Sequence, residues 1–385
     1  MNIKLTLLDF SLITALLVYS ASATVTPICL LAMADELHFN LSASGGIEGM
    51  RSILIFASLF SGGFIASRIG KIRSLAGGLF GLSIGYAVYA AAPSYAAILG
   101  ASVLIGASCG ILEGLINPLV QDLHSEDSGR YLNITNSAWS AGVLSTVLIA
   151  GELLTRDVSW RLIMAALSFF SFTAGVFMAL LRKREPHTKA LNTESVIRFY
   201  IDCIRSKRFL VFCFMMFLAG GAEGAFTFWS ASYIQLHFAS LPRMGAVGTA
   251  CFAAGMLSMR LFIGVYVPQH KLRKMIFLSA AGGFIIAALL PLMHSQMLFF
   301  PALFLSGVAI ACFWPSIQSY AVYKIPRLDS TSAFILMSCA GIPGFGLIPF
   351  IMGIIGDTAG LEKSFLLIPP VFALLAVTVI IEKSR

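Results

Sequence analysis

Three polar side chains recur at four-residue intervals inside an apolar run that begins near Tyr95. They are Glu113, Asn117 and Gln121, and in an α-helix this spacing places them on one face. Pro118 interrupts the hydrogen-bond ladder in the same turn and predicts a kink. A carboxylate at the depth of a bilayer core costs about 3 kcal/mol or more unless it is protonated, paired or wetted. Glu113 is therefore the first candidate for carrying a proton. The alternative is a structural carboxyl group whose hydrogen bonds neighbouring helices satisfy.

A second carboxylate, Glu223, lies among small residues at 220–225. Small residues let helices approach closely, so Glu223 is either a second proton-coupling group or a partner in an inter-helix hydrogen bond. Arg260 lies in another apolar run, where its permanent charge requires a carboxylate, a carbonyl or water, and we predict a structural or gating pair. Arg51 and Glu48 are interpreted as a local pair at the outer membrane interface.

Three of the four tryptophans, Trp139, Trp229 and Trp314, fall inside apolar runs. Tryptophan usually anchors a membrane protein at the interface, and these positions are too deep for that role. Aromatic faces beside amides suit a polyhydroxylated or amphipathic solute, because rings pack on its apolar side while amides hold its hydroxyl groups. We therefore predict that the tryptophans contact a solute, the alternative being contact with lipid or other helices. The amides assigned to the same solute are Asn117, Gln121, Asn136 and Gln318.

The composition of the chain narrows the class of protein. The chain has 385 residues, of which 58% are hydrophobic and only 11% charged, with a mean hydropathy of +0.88. Soluble domains carry about 25% charged residues, so these values predict an all-α polytopic membrane protein. The net charge of +8 does not indicate nucleic acid, since the basic residues cluster in short loops between apolar spans. The seven cysteines are scattered, and no P-loop or HExxH motif is present. We expect no enzyme activity, no cofactor and no metal site.

Apolar runs and polar turns predict twelve spans in two six-helix bundles. With both termini cytoplasmic, 20 of the 26 Lys and Arg residues fall on the cytoplasmic side, 4 on the outer side, and Arg51 and Arg260 within spans. The predicted domains are residues 1–181, a cytoplasmic loop at 182–207, and residues 208–385. The expected setting is a bacterial inner membrane. The spans are about 6–34, 46–67, 74–92, 95–122, 131–154, 160–181, 208–236, 243–266, 274–293, 296–323, 329–356 and 363–381.

The two halves also resemble each other at a fixed offset. A shift of 197 residues places Gly110, Pro118, Gln121 and Arg130 on Gly307, Pro315, Gln318 and Arg327. The fourth span thus corresponds to the tenth, with a proline at the same depth in each. Paired interrupted helices in corresponding halves are typical of a transporter site near the membrane midplane.

The segment at residues 63–73, GFIASRIGKIR, resembles the loop between spans two and three of the major facilitator superfamily. Gly63, Ala66, Arg68, Gly70 and Lys71 fit the pattern G-x-L-A-D-R-x-G-R-[RK], and serine stands at position 67 where the pattern has aspartate. The resemblance covers essentially the whole chain. It implies two six-helix bundles around a central cavity lined by spans 1, 4, 7 and 10, and a gating role for Arg68, Gly70, Lys71 and Arg260.

A narrower resemblance is to the fucose–galactose–glucose:proton symporter group. Its fourth span reads like E-T-A-A-N-P, and here residues 113–118 read EGLINP. Its tenth span reads like F-P-T-I-F-S, and here residues 313–319 read FWPSIQS. The middle of the first span, YSASATVTP at residues 19–27, lacks the acidic or amide pair of fucose-type members.

Together these features predict a secondary active transporter that works by alternating access. The leading interpretation is proton-coupled uptake of a sugar or similar small polar solute by a monomer in the lipid bilayer. A proton-driven efflux antiporter for amphipathic compounds is the alternative, because a Met-rich and aromatic interior suits a plastic pocket. A non-transporting sensor or a regulated channel is a third possibility.

Overall fold

The computed structural model of the chain describes residues 5–124, 128–182, 201, 203, 205–267, 271–325 and 330–383, and every regular element in them is helical. Short 3₁₀ turns occupy Leu290–Leu292 and Phe365–Leu367. The α-helices are α1 (Leu7–Leu37), α2 (Leu41–Ile69), α3 (Lys71–Ala91), α4 (Tyr95–Leu123), α5 (Ser128–Thr155), α6 (Trp160–Leu180), α7 (Lys207–His237), α8 (Pro242–Tyr266), α9 (Leu272–Leu289), α10 (Gln296–Ile310), α11 (Phe313–Lys324), α12 (Ser330–Ala359), α13 (Leu361–Ser364) and α14 (Ile368–Lys383).

Ten helical segments of the described chain are long and apolar enough to cross a membrane. The prediction of a multi-pass helical membrane protein is therefore confirmed. The ten do not include α2 and α8, which are 29 and 25 residues long and carry Arg51 and Arg260. The count of twelve spans requires these two helices as well, and it stays a prediction.

Polar side chains begin several of the helices. Thr6 and Asp9 form a reciprocal capping box at the start of α1, and Ser94, Ser159 and Ser206 accept backbone hydrogen bonds at the starts of α4, α6 and α7. Each of these contacts satisfies a backbone N–H that the helix itself leaves without a partner. Gly70 separates α2 from α3 with φ of +93°, a conformation that glycine adopts without steric cost.

The span predicted at 296–323 is interrupted. A turn at Ala311 and Cys312 divides it into α10 and α11, four residues before Pro315. Proline has no backbone N–H to donate to the carbonyl four residues earlier, which is that of Ala311. The corresponding helix of the first half, α4, continues through Pro118 to Leu123.

By their internal contacts the residues form two compact units. Unit 1 comprises Met1–His38 and Met50–Leu191, and unit 2 comprises Phe39–Gly49 and Asn192–Arg385. In unit 1, α3 packs on α6 and α4, while α1 packs on α5, α6 and α4. The sequence-based division into residues 1–181, 182–207 and 208–385 stays a prediction.

Unit 2 repeats this arrangement, with α9 packed on α14 and α10, and α7 packed on α12 and α14. The beginning of α2 belongs to this unit, because Asp357 of α12 accepts hydrogen bonds of 2.8 Å from the backbone N–H groups of Leu41 and Ser42. A carboxylate at a helix N-terminus satisfies backbone donors and complements the helix dipole.

The 197-residue repeat is visible in the packing of two glycines. A methyl group added to Gly110 of α4 would collide with α2 at the Ile55 carbonyl and the Leu59 nitrogen. A methyl group added to Gly307 of α10 would collide with α8 at the Phe252 carbonyl and the Met256 nitrogen. Since 252 and 256 are 55 and 59 shifted by 197, each half brings the same two helices into the same backbone contact.

Candidate functional site

The first candidate carboxylate, Glu113, is half-buried on α4 inside unit 1. The hydroxyl group of Tyr19 on α1 donates a hydrogen bond to the Glu113 carboxyl group. The Tyr19 ring lies 4.8 Å from the ring of Trp139 on α5, edge to face. Three helices therefore bring an ionisable group, a phenol and an indole together, as a site for a polar solute with one apolar face would require.

The interfacial interpretation of Arg51 is wrong. Arg51 is only 4% exposed and donates a hydrogen bond of 3.1 Å to the Ser22 carbonyl on α1. The Tyr86 hydroxyl donates to the same carbonyl at 2.9 Å. Glu48 is likewise buried, with 1% of its surface exposed. An arginine inside an apolar run was a signal for an interior role, since a permanent charge in a membrane protein faces its interior or water.

The second candidate carboxylate, Glu223, is 9% exposed on α7. Its Oε1 lies 3.7 Å from Nη2 of Arg260 on α8, and its Oε2 has no hydrogen-bond partner among the described residues. On either side of it, methyl groups at Gly220 and Gly224 would collide with the backbone of α12 at Gly341 and Phe345. The small residues thus allow the close helix contact predicted for them, and they place a carboxyl group in a tightly packed interior.

Arg260 also meets the interrupted helix of unit 2. Its Nε donates at 3.4 Å to the carbonyl of Ala311, the group that Pro315 leaves without a helical donor. Arg260 therefore connects a carboxylate on α7 with the break between α10 and α11. This agrees with the expected requirement for a carboxylate and a carbonyl, and a gating role for Arg260 remains a prediction.

Two tryptophans of unit 2 differ in their surroundings. Trp229 is fully buried, donates from Nε1 to the Pro349 carbonyl at 2.9 Å and packs against Phe228. Trp314 is half-buried on α11, and its ring covers Gly341 of α12 so closely that an added methyl group would lie 2.6 Å from Cη2. Trp314 is thus the more available of the two to a solute, whereas Trp229 would have to leave its carbonyl partner.

The structure describes the side chains of two of the four amides predicted to bind the solute. Asn117 is exposed on α4, and Gln318 of α11 donates from Nε2 to the Ser338 hydroxyl at 3.1 Å. The side chains of Gln121 and Asn136 lie outside the described part of the structure. Asn117 and Trp314 occupy corresponding positions of the repeat, which thus carries an amide in unit 1 and an indole in unit 2.

The residues of the predicted gating loop stand between α2 and α3. Lys71 forms an ion pair with Asp122 at the end of α4, while Arg68 is exposed and Gly70 supplies the turn. Both members of the ion pair remain partly exposed, at 21% and 24%. The gating role of Arg68, Gly70 and Lys71 stays a prediction.

The sequence patterns did not predict a charged cluster in unit 2. Glu382 of α14 is 2% exposed and accepts hydrogen bonds from the Arg208 guanidinium and, at 2.7 Å, from the Tyr320 hydroxyl. Arg273 lies 3.8 Å from the same carboxylate and donates to the Val379 carbonyl at 2.9 Å. In unit 1, His124 at the end of α4 lies 2.6 Å from the buried Asp9 carboxylate.

The family model of the Major Facilitator Superfamily matches residues 11–341. The curated Membrane protein MosC of Rhizobium meliloti is 24% identical over 289 residues, which are 74% of this chain and 68% of that protein.

Solved transporters share the fold at low sequence identity. A bacterial homologue of the human lysosomal transporter Spinster superposes with a TM-score of 0.79 at 12% identity, covering 98% of this chain and 96% of its own. The nucleoside transporter NupG gives a TM-score of 0.76 at 13% identity, with 98% of each chain covered. A D-xylose-proton symporter gives 0.77 at 12% identity, covering 97% and 96%.

The repeated packing of the two units, the membrane-spanning helices and the extent of the family match lead to one conclusion. The chain is a multi-pass integral membrane transporter rather than an enzyme, and it belongs to the major facilitator superfamily.

Proposed function

We propose that this transporter couples inward movement of protons to uptake of a sugar or a similar small polar solute by alternating access. A solute and a proton that bind one conformation better together have coupled affinities, and a gradient of one then drives the other. The xylose-proton symporter and the nucleoside transporter among the structural neighbours support a small polar solute. The proposal includes twelve spans, cytoplasmic termini, a monomer and a bacterial inner membrane.

The proposal rests on the few contacts that the buried Glu223 carboxylate makes. One carboxylate oxygen has no hydrogen-bond partner among the described residues, and the other lies 3.7 Å from Arg260, beyond hydrogen-bond distance. A buried carboxylate held this loosely is stabilised less than one in a direct ion pair. Binding a proton at Glu223 would remove its charge and release Arg260, which keeps its contact with the Ala311 carbonyl. Protonation would therefore change how α7, α8 and the α10–α11 break are held together.

Glu113 is the proposed coupling group of unit 1. Its carboxyl group accepts a hydrogen bond from Tyr19, and Tyr19 in turn packs against Trp139. Solute that displaces the Tyr19 hydroxyl would leave the carboxylate less well stabilised and favour its protonation. The Tyr19–Glu113 hydrogen bond would therefore couple solute binding to proton binding within one cluster.

We assign solute binding to the aromatic and amide side chains of the two units. Trp139 and Trp314 would pack on the apolar face of the solute, while the amides would bind its hydroxyl groups. The assigned amides are Asn117, Gln121, Asn136 and Gln318. Trp229 would join them only in a conformation that breaks its hydrogen bond to Pro349. Gating is assigned to Arg68, Gly70, Lys71 and Arg260.

The test is uptake of labelled monosaccharides and nucleosides into proteoliposomes, with and without an imposed inward proton gradient. We expect one polar solute to accumulate above its equilibrium level only when the gradient is present. A channel or a sensor would show no trans-stimulated exchange. Failure of every polar solute, with folded protein in sealed vesicles, would refute the uptake proposal. A screen for gradient-driven efflux of amphipathic compounds would then follow.

A further inference from the structure

A cavity of about 260 Å³ opens between α3 and α6 of unit 1. Its lining consists of Arg73, Ala76, Gly77 and Phe80 of α3 with Ala179 of α6 and Arg182 just beyond it. The four α3 residues follow helical spacing, so they form one continuous strip about 10 Å long, at about 1.5 Å per residue. Because the Phe80 ring contacts Gly175 of α6, Arg182, seven residues further along the chain, lies toward the Arg73 end of the strip.

The two arginines at this end are exposed, and neither has an ion-pair or hydrogen-bond partner within the described residues. The rest of the lining is apolar. At the far end the Phe80 ring closes the cavity, packing 5.7 Å from Phe172 and filling the space beside Gly175 of α6. The cavity is therefore cationic at one end and hydrocarbon-like along its length.

We infer that this cavity binds an anionic phospholipid, with the phosphate between Arg73 and Arg182 and an acyl chain along Ala76, Gly77 and Phe80. Guanidinium groups bind phosphate oxygens through paired hydrogen bonds, and basic pockets between membrane helices are sites for anionic headgroups. The lipid would come from the leaflet on the basic side of the membrane, which the charge asymmetry of the loops predicts to be cytoplasmic. The inference does not depend on which solute the protein transports.

Gly77 makes the acyl-chain part of the inference testable. A methyl group at Gly77 would meet no atom within 4 Å, so a side chain at this position of the lining starts in open space. Gly100 of α4 is equally exposed and equally open, and it lies away from the cavity. Gly77→Leu should therefore fold and exclude the lipid, and Gly100→Leu is its matched control.

The experiment titrates the purified full-length protein in detergent with phosphatidylglycerol or phosphatidylcholine and counts bound lipid by native mass spectrometry. We expect one phosphatidylglycerol that phosphatidylcholine does not replace. Arg73→Gln with Arg182→Gln should raise the half-saturating phosphatidylglycerol concentration about tenfold or more. Gly77→Leu should weaken binding similarly, while Gly100→Leu should not.

Two outcomes would overturn the inference. Equal weakening by Lys271→Ala with Lys274→Ala, which removes the same charge from exposed positions of unit 2, would indicate general attraction of anionic lipid. Retained lipid binding in Gly77→Leu, together with full displacement by inorganic phosphate, would indicate a free-anion site without an acyl-chain groove. Loss of binding in both the arginine variant and Gly77→Leu, but not in their controls, supports the lipid site.

Discussion

The two units share a scaffold and differ in where their ionisable groups lie. Gly110 and Gly307 make the same backbone contact 197 residues apart. Yet position 310, the counterpart of Glu113, is isoleucine, and position 26, the counterpart of Glu223, is threonine. The candidate coupling carboxylate lies on α4 in unit 1 and on α7 in unit 2. Packing constraints preserve a helix contact in both halves, whereas the chemistry of a transport site does not require symmetry.

The break between α10 and α11 is a second feature in which the two units differ. Pro118 and Pro315 correspond, yet α4 continues through its proline and the other span is interrupted. In unit 2 the carbonyl freed by proline accepts a hydrogen bond from Arg260, whose counterpart in unit 1 is Gly63. The two prolines are therefore not equivalent in their surroundings, because only the carbonyl in unit 2 has an arginine at the corresponding position of the neighbouring helix.

The largest effect is expected from neutralising the two carboxylates separately. Glu113→Gln and Glu223→Gln should each abolish accumulation of the solute against its gradient while leaving exchange partly intact, because a glutamine keeps the shape but cannot carry a proton. Gradient-driven uptake and counterflow in proteoliposomes provide the measurement. The matched control is Glu152→Gln, a partly exposed carboxylate that pairs with Arg156.

The two variants also test the asymmetry between the units. If Glu223→Gln still accumulates solute, Glu223 has no part in coupling and Glu113 acts alone. If a folded Glu113→Gln variant loses exchange as well as accumulation, Glu113 binds solute.

The buried carboxylates Glu382 and Asp9 differ in the number of arginine charges that each compensates. Glu382→Gln should lower the free energy of unfolding by about 3–5 kcal/mol, because it leaves the Arg208 and Arg273 charges uncompensated. Asp9→Asn should cost about 1–3 kcal/mol, since its carboxylate lies beside one histidine and accepts hydrogen bonds from the backbone N–H and hydroxyl of Thr6. Thermal and denaturant unfolding in detergent measure both, with the exposed Glu362→Gln as control. Equal losses would contradict the ranking of the two clusters.

The shared scaffold predicts equal effects at its two glycines. Gly110→Ala and Gly307→Ala should each destabilise the protein by about 1–3 kcal/mol, because the added methyl group meets backbone atoms that cannot rotate away. Gly100→Ala, in open space, should instead stabilise its helix by about 0.5–1 kcal/mol. Unfolding midpoints of the three variants provide the measurement. A large difference between the first two would refute equivalent packing in the halves.

The smallest effects are expected at the corresponding solute positions. Trp314→Ala and Asn117→Ala should each raise the half-saturation concentration by about 2- to 12-fold, the equivalent of about 0.5–1.5 kcal/mol for one aromatic or hydrogen-bond contact. A deoxy analogue of the transported solute should respond to Trp314→Ala and not to Asn117→Ala if the amide binds the missing hydroxyl group. An unchanged half-saturation concentration for Trp314→Ala would remove that residue from the site.

Sequence patterns predicted the helical membrane class and the repeat because both depend on local composition and periodicity. They also located Glu223 and Arg260 as residues that need partners, since charge within an apolar run is readable directly. They did not predict which group Arg51 contacts, because the Ser22 carbonyl lies 29 residues away in the chain. The pairing of Glu382 with Arg208, separated by 174 residues, was likewise not readable from the chain.

The sequence by itself determined that this chain inserts into a membrane and belongs to a transporter family. Hydropathy, small-residue spacing and loop charge act locally or along one helix, so their consequences follow from the order of residues. The tertiary structure decided which buried charges meet, that Glu223 retains an oxygen without a hydrogen-bond partner among the described residues, and that Arg260 contacts the interrupted helix. Those outcomes depend on distances of a few ångströms between helices far apart in the chain, and only the packing of complete helices sets such distances.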